Sequence, residues 1–70
     1  MHELKGFMAR HKLSQRDVAR AIGLSTAFVS LLINGESGCS LATAKVLLGY
    51  CQSKEPGMTF ERLFRDVKAA

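Results

Sequence analysis

Ser14, Gln15 and Arg16 stand side by side, and Thr26, Ala27, Ser30, Leu31 and Asn34 follow at helical spacing. Together they offer hydroxyl, amide and guanidinium donors beside small apolar side chains. That is the chemistry of gripping a polar, anionic surface, not of making or breaking bonds. No Ser-His-Asp constellation, paired carboxylate cleft, phosphate-binding loop or metal cluster is visible, and a chain of 70 residues leaves little room for a pocket. The chain is therefore expected to be no enzyme and to use no cofactor or small-molecule substrate. Cys39 and Cys51 are not a C-x-x-C pair, and His2 and His11 belong to a different segment. A metal site needs several ligands at short, paired spacings. The cysteines read instead as two small buried hydrophobes in a reducing compartment.

Lys and Arg number 10 against 6 acidic residues, a net charge of +4. The excess suits a polyanionic partner. Many small proteins that bind no nucleic acid carry as much, so charge alone does not decide. No stretch approaches the ~18 apolar residues that span a bilayer. Met1-His2-Glu3-Leu4-Lys5 also lacks the basic-then-apolar order of a secretion signal. A cytoplasmic protein with no membrane partner is expected.

The elements that hold these residues are five short helices in one all-α domain over residues 1–70. A chain this size buries only about 60% of its unfolded surface, so the core is thin. Leu4, Phe7, Met8 and His11 share one face of a first helix, with His11 at its end or over the core edge. Ser14-Gln15-Arg16-Asp17 has the form of a capping box, Val18, Ala19 and Ile22 follow as a narrow stripe, and Gly23 stands where a left-handed residue ends a helix. Ser25 caps a third helix that stops at Asn34-Gly35. The tight, glycine-containing turn between these two helices is what a helix-turn-helix requires. Beyond the loop from Glu36 to Cys39, Ser40 caps a fourth helix with Leu41, Ala44, Leu47, Leu48 and Cys51 on one face. Gln52 to Gly57 reads as a polar turn containing Pro56-Gly57. Thr59 caps a last helix striped by Phe60, Leu63, Phe64 and Val67.

The third helix carries the function. At about 100° per residue, Val29, Leu32 and Ile33 face the core, and Ala27, Ser30, Leu31 and Asn34 face outward. Thr26 lies at the edge near the N-terminus and Phe28 at the other boundary. The outward face carries no charge, where an ordinary solvent face would hold Lys or Glu. A small, partly apolar face can approach another surface closely, and the DNA major groove admits a helix. Lys12, Arg16 and Arg20 supply cations at the flank, and Gln15 a neutral donor. Leu31 is open to three readings: a base contact, a protein contact, or an ordinary exposed leucine. Asn34 either bonds phosphate, or ends the helix in a left-handed conformation, or both.

The 24-residue segment from Leu13 to Glu36, LSQRDVARAIGLSTAFVSLLINGE, resembles the Cro/C1-type (XRE) helix-turn-helix family of phage and bacterial repressors. Leu13-Ser14-Gln15, Ala19, Ile22-Gly23, Ser25, Val29-Ser30 and Asn34-Gly35 carry the resemblance, with the motif itself at about residues 14–34. It implies a lambda-repressor-like bundle that binds double-stranded operator DNA, encoded by a bacterium or phage and found with the nucleoid. By position it implies DNA contacts at Ser14, Gln15, Arg16, Thr26, Ala27, Phe28, Ser30, Leu31, Asn34 and Ser37. Gln15 matches a phosphate contact, Thr26, Ala27, Ser30 and Leu31 match base-facing positions, and Asn34 matches a backbone contact. The chain departs from the pattern in having no Arg, Lys or Gln on the outward face, and Glu36 sits where many relatives have a base.

Val46 and Tyr50 lie off the main stripe of the fourth helix. Either they pack under the fifth helix, or with Met58 they form the contact of a weak or DNA-induced homodimer. A transcriptional regulator, specifically a repressor, is the first functional expectation. The alternative is a module of a larger assembly, such as a phage transposition machine, that binds DNA weakly and non-specifically or grips a protein.

Overall fold

After the first, each helix starts where a capping side chain falls. The computed structural model describes residues 1–36 and 38–67. In it, α1 spans His2–Arg10, α2 Gln15–Ile22, α3 Thr26–Ile33, α4 Leu41–Lys54 and α5 Phe60–Leu63. At the start of α2, Ser14 Oγ accepts the Asp17 amide at 3.1 Å, and the Asp17 carboxylate accepts the Ser14 amide at 2.8 Å. The capping box is thus closed from both sides. Ser25, Ser40 and Thr59 each accept from the amide three residues on, at 3.1, 3.2 and 3.1 Å, and so begin α3, α4 and α5.

The stop signals are as local as the starts. Gly23 ends α2 with φ 74°, and Leu24 N–H donates to the Ala19 carbonyl at 2.9 Å. This is the left-handed closure that a Cβ disfavours. At the end of α3 the left-handed residue is Gly35, φ 73°, while Asn34 stays right-handed at φ −80°. The left-handed reading of Asn34 is thereby corrected: glycine, with no Cβ, takes the strained position. His11 closes α1 and also covers the core edge, its ring 4.7 Å from that of Phe7.

Two boundaries differ from expectation. Helix α4 continues through Lys54, so Gln52–Lys54 are helical and the turn is confined to residues 55–57. Helix α5 is a single turn, too short to carry a stripe from Phe60 to Val67. Phe60 is exposed and stacks on Phe64 with ring centroids 4.7 Å apart. Leu41, expected on the buried stripe of α4, is the first residue of that helix and is 64% exposed; the buried face begins one turn later, at Ala44.

Every helix contributes to one core. Leu4, Phe7 and Met8 of α1, Val18 and Ala19 of α2, Val29 and Leu32 of α3, Leu47 and Cys51 of α4, and Leu63 of α5 are buried together with Met1 and Met58. Helices α2 and α3 form the most extensive helix pair, and Ala19, nearly fully buried, is small enough to let them cross closely. The Met1 main-chain nitrogen donates to the Ile33 carbonyl at 3.0 Å and tethers the end of α3. Among the described residues no helix is long and apolar enough to cross a membrane.

Candidate nucleic-acid interface

The α2–α3 pair presents the expected residues on its outer side. Thr26, Ala27 and Asn34 are exposed, Leu31 is 40% exposed, and Ser30 and Phe28 are half-buried. Val29 and Leu32 are buried beneath them, and Ile33 packs at the core edge. The outward surface of α3 therefore consists of two hydroxyls, a methyl, an isobutyl group and one amide, with no ionisable group among them. Phe28 contributes less than expected, because its ring packs against the core. Ser37 lies outside the described residues.

At the start of α2, Ser14 and Arg16 are exposed and Gln15 is half-buried. Ser14 Oγ accepts the Asp17 amide in the cap, so this hydroxyl also builds the start of α2. The Asp17 carboxyl is held below its ordinary range, first by the Ser14 amide and hydroxyl, then by Arg20 and Arg16 nearby. Asp17 thus offsets part of the local positive charge. Arg16 and Arg20 form no ion pair among the described residues.

Other cations are consumed elsewhere. Arg10 and His11 converge on Glu55, and Arg62 lies 3.2 Å from Glu3 and 3.8 Å from Glu55. Sequence reasoning had no access to this cluster, because its central pair, Arg10 and Glu55, lies 45 positions apart and shares no local pattern. Its effect is to separate the basic residues into a neutralised set and an available set.

Chemistry elsewhere is sparse. Among the described residues no three His, Cys, Asp or Glu side chains gather as a metal would require. Both cysteines are free thiols; burial pushes Cys51 up to about 11, so it stays protonated near neutral pH. Met58 is fully buried, so its expected role in a dimer contact is corrected: it plugs the core beneath the α4–α5 turn. Val46 is 51% exposed, and Tyr50 is half-buried, edge-on to Phe7 at 6.1 Å.

A family model for the Cro/C1-type HTH DNA-binding domain matches residues 3–54, which run from the first turn of α1 to the end of α4. No curated protein and no solved structure matches the chain. The match contains the capped α2, the glycine turn and the uncharged outer face of α3, and the all-helical fold agrees with it. The chain belongs to the Cro/C1-type helix-turn-helix DNA-binding domain family.

Proposed function

We propose that this domain binds double-stranded DNA sequence-specifically, as a phage or prophage-type transcriptional regulator that represses at an operator. The observation that carries this reading is the outer face of α3: exposed, uncharged and built of small or apolar side chains. Such a face suits a groove floor, while the cations beside it suit the phosphate rims.

In this reading Ser14, Gln15 and Arg16 hold the phosphate backbone, Thr26, Ala27, Ser30 and Leu31 approach base edges, and Asn34 and Ser37 bond the backbone beyond. Phe28 sets the depth of α3 from the boundary. Bidentate Arg–guanine and Gln–adenine contacts are absent from α3, so discrimination comes from thymine methyls packed on Ala27 and Leu31 and from DNA shape. The molecule measures 28 Å along its longest axis. Two successive turns of one groove lie about 34 Å apart, so reading both takes two copies. A weak or DNA-induced homodimer follows, with Val46 its most outward candidate contact.

The test is binding to random duplex and to the promoter beside the protein's own gene, at several salt concentrations. Preference for the promoter by roughly 10³-fold or more, with a steep salt slope, supports the regulator. Equal binding to both points instead to a non-specific module of a larger assembly. No binding at low salt favours the reading in which the α3 face grips a protein.

A further inference from the structure

Three described residues adopt left-handed backbone, and two of them are glycines: Gly23 at φ 74° and Gly35 at φ 73°. The third is Lys12, at φ 55°. A Cβ in this region collides with its own backbone, so glycine is the relaxed choice at the end of a helix. The position itself is fixed by backbone bonds on both sides, Lys12 N–H to the Ala9 carbonyl at 3.3 Å and Leu13 N–H to the Met8 carbonyl at 2.8 Å. The chain therefore carries strain at a site where its own practice elsewhere is to remove it.

The side chain that brings this strain makes no hydrogen bond or ion pair among the described residues. Lys12 is exposed and makes no ion pair, whereas Arg10, two residues earlier, is held by Glu55. It stands two residues ahead of Ser14, the cap of α2, whose first two residues are Gln15 and Arg16. Strain that persists at a surface position points to function. We infer that Lys12 is a further DNA-contacting residue of the interface, its ammonium group bound to a phosphate and its direction set by the left-handed turn. The inference rests on the DNA-binding reading above.

Lys12→Gly, Lys12→Ala, Lys12→Arg and Arg16→Ala are compared with the parent chain by thermal unfolding and by binding to random duplex between about 50 and 200 mM salt. Lys12→Gly is expected to melt about 4 °C or more higher. It should bind about three- to tenfold more weakly at the low-salt end, with a salt slope shallower by about 0.9. Lys12→Ala should lose the same binding without the gain in Tm, and Lys12→Arg should retain parental binding. If Lys12→Gly binds with parental affinity and slope while Arg16→Ala weakens, the assignment of Lys12 is overturned and the DNA reading stands. If Lys12→Ala lowers Tm and leaves binding intact, the charge serves only the C-terminal end of α1, and the inference again fails. If the parent chain binds no duplex at low salt, the DNA reading itself falls and takes this one with it.

Discussion

Arg10 meets Glu55 as a two-pronged pair, Nε 2.7 Å from Oε1 and Nη2 3.1 Å from Oε2. The pair joins the last turn of α1 to the residue that ends α4. His11 Nε2 lies 2.9 Å from the same Oε1, and Arg62 of α5 approaches the other oxygen. Three helices are thus fastened through one carboxylate, in a domain whose core has little to spare.

That carboxylate makes stability depend on pH in a defined direction. Hydrogen bonds from Arg10, and then from His11, hold Glu55 down from 4.5 to about 2. A carboxyl group depressed on folding contributes stability above its unfolded value and loses it as pH falls toward the folded one. Tm should therefore drop between about pH 4.5 and pH 2. Glu55→Gln should melt several degrees lower than the parent at pH 7, and the difference should shrink to nothing near pH 2. A constant difference across that range in calorimetry would show that Glu55 acts by packing alone.

Ser14 is both cap and candidate phosphate contact, and the two roles separate by substitution. Ser14→Ala should cost about 1 kcal/mol by removing the acceptor for the Asp17 amide. In a domain of this size that is about 4–8 °C in Tm. Ser14→Asp keeps an acceptor at the cap but turns a donor into a negative charge, so it should hold its Tm and lose DNA affinity. Chemical denaturation alongside duplex titration checks both halves.

Two glycines should respond oppositely to alanine. Gly23 has open space around it but φ 74°, so Gly23→Ala should destabilise by about 1 kcal/mol or more through backbone strain alone. Gly49 lies inside α4, also with open space where a Cβ would stand. Gly49→Ala should stabilise by about 0.5–1 kcal/mol, because alanine loses less freedom in a helix. Urea unfolding of both variants reads the signs directly.

Leu31 and Leu32 are neighbours with separate tasks. Leu32 is 2% exposed and Leu31 40%. Leu32→Ala should cost about 2–5 kcal/mol, enough to unfold much of the population. Leu31→Ala should stay within about 0.5 kcal/mol of the parent yet alter sequence preference. Replacing thymine by uracil in the preferred site should weaken the parent several-fold and the Leu31→Ala protein less. Equal losses in the two proteins would remove Leu31 from the groove.

The helix-turn-helix was the most legible part of the chain, because its signals act within a few residues. Ser14 finds Asp17, Ser25 finds the Phe28 amide, and Gly23 supplies its own φ. The outward face of α3 was legible for the same reason: helical periodicity alone separates Ala27 and Leu31 from Val29 and Leu32. What depends on distant partners was not. Met58, just past the Pro56-Gly57 turn, read as a candidate dimer contact, and it lies instead in the core shared by all five helices. Arg10 and Glu55 carry no mark in sequence that they meet. The stripe from Phe60 to Val67 suggested a full helix, but α5 stops after one turn with Phe60 in solvent.

The Glu3–Arg10–Glu55–Arg62 cluster also governs how the molecule is met from afar. By cancelling two arginines locally, it leaves the external field to the cations outside it, Lys12, Arg16 and Arg20 among them, with Asp17 offsetting only part of their charge. A polyanion within about a Debye length, roughly 10 Å at 0.1 M salt, senses that residual pattern before any contact forms, and is turned toward it. Rearranging the cluster would change the rate and orientation of encounter even where every atom that finally touches the partner stayed in place.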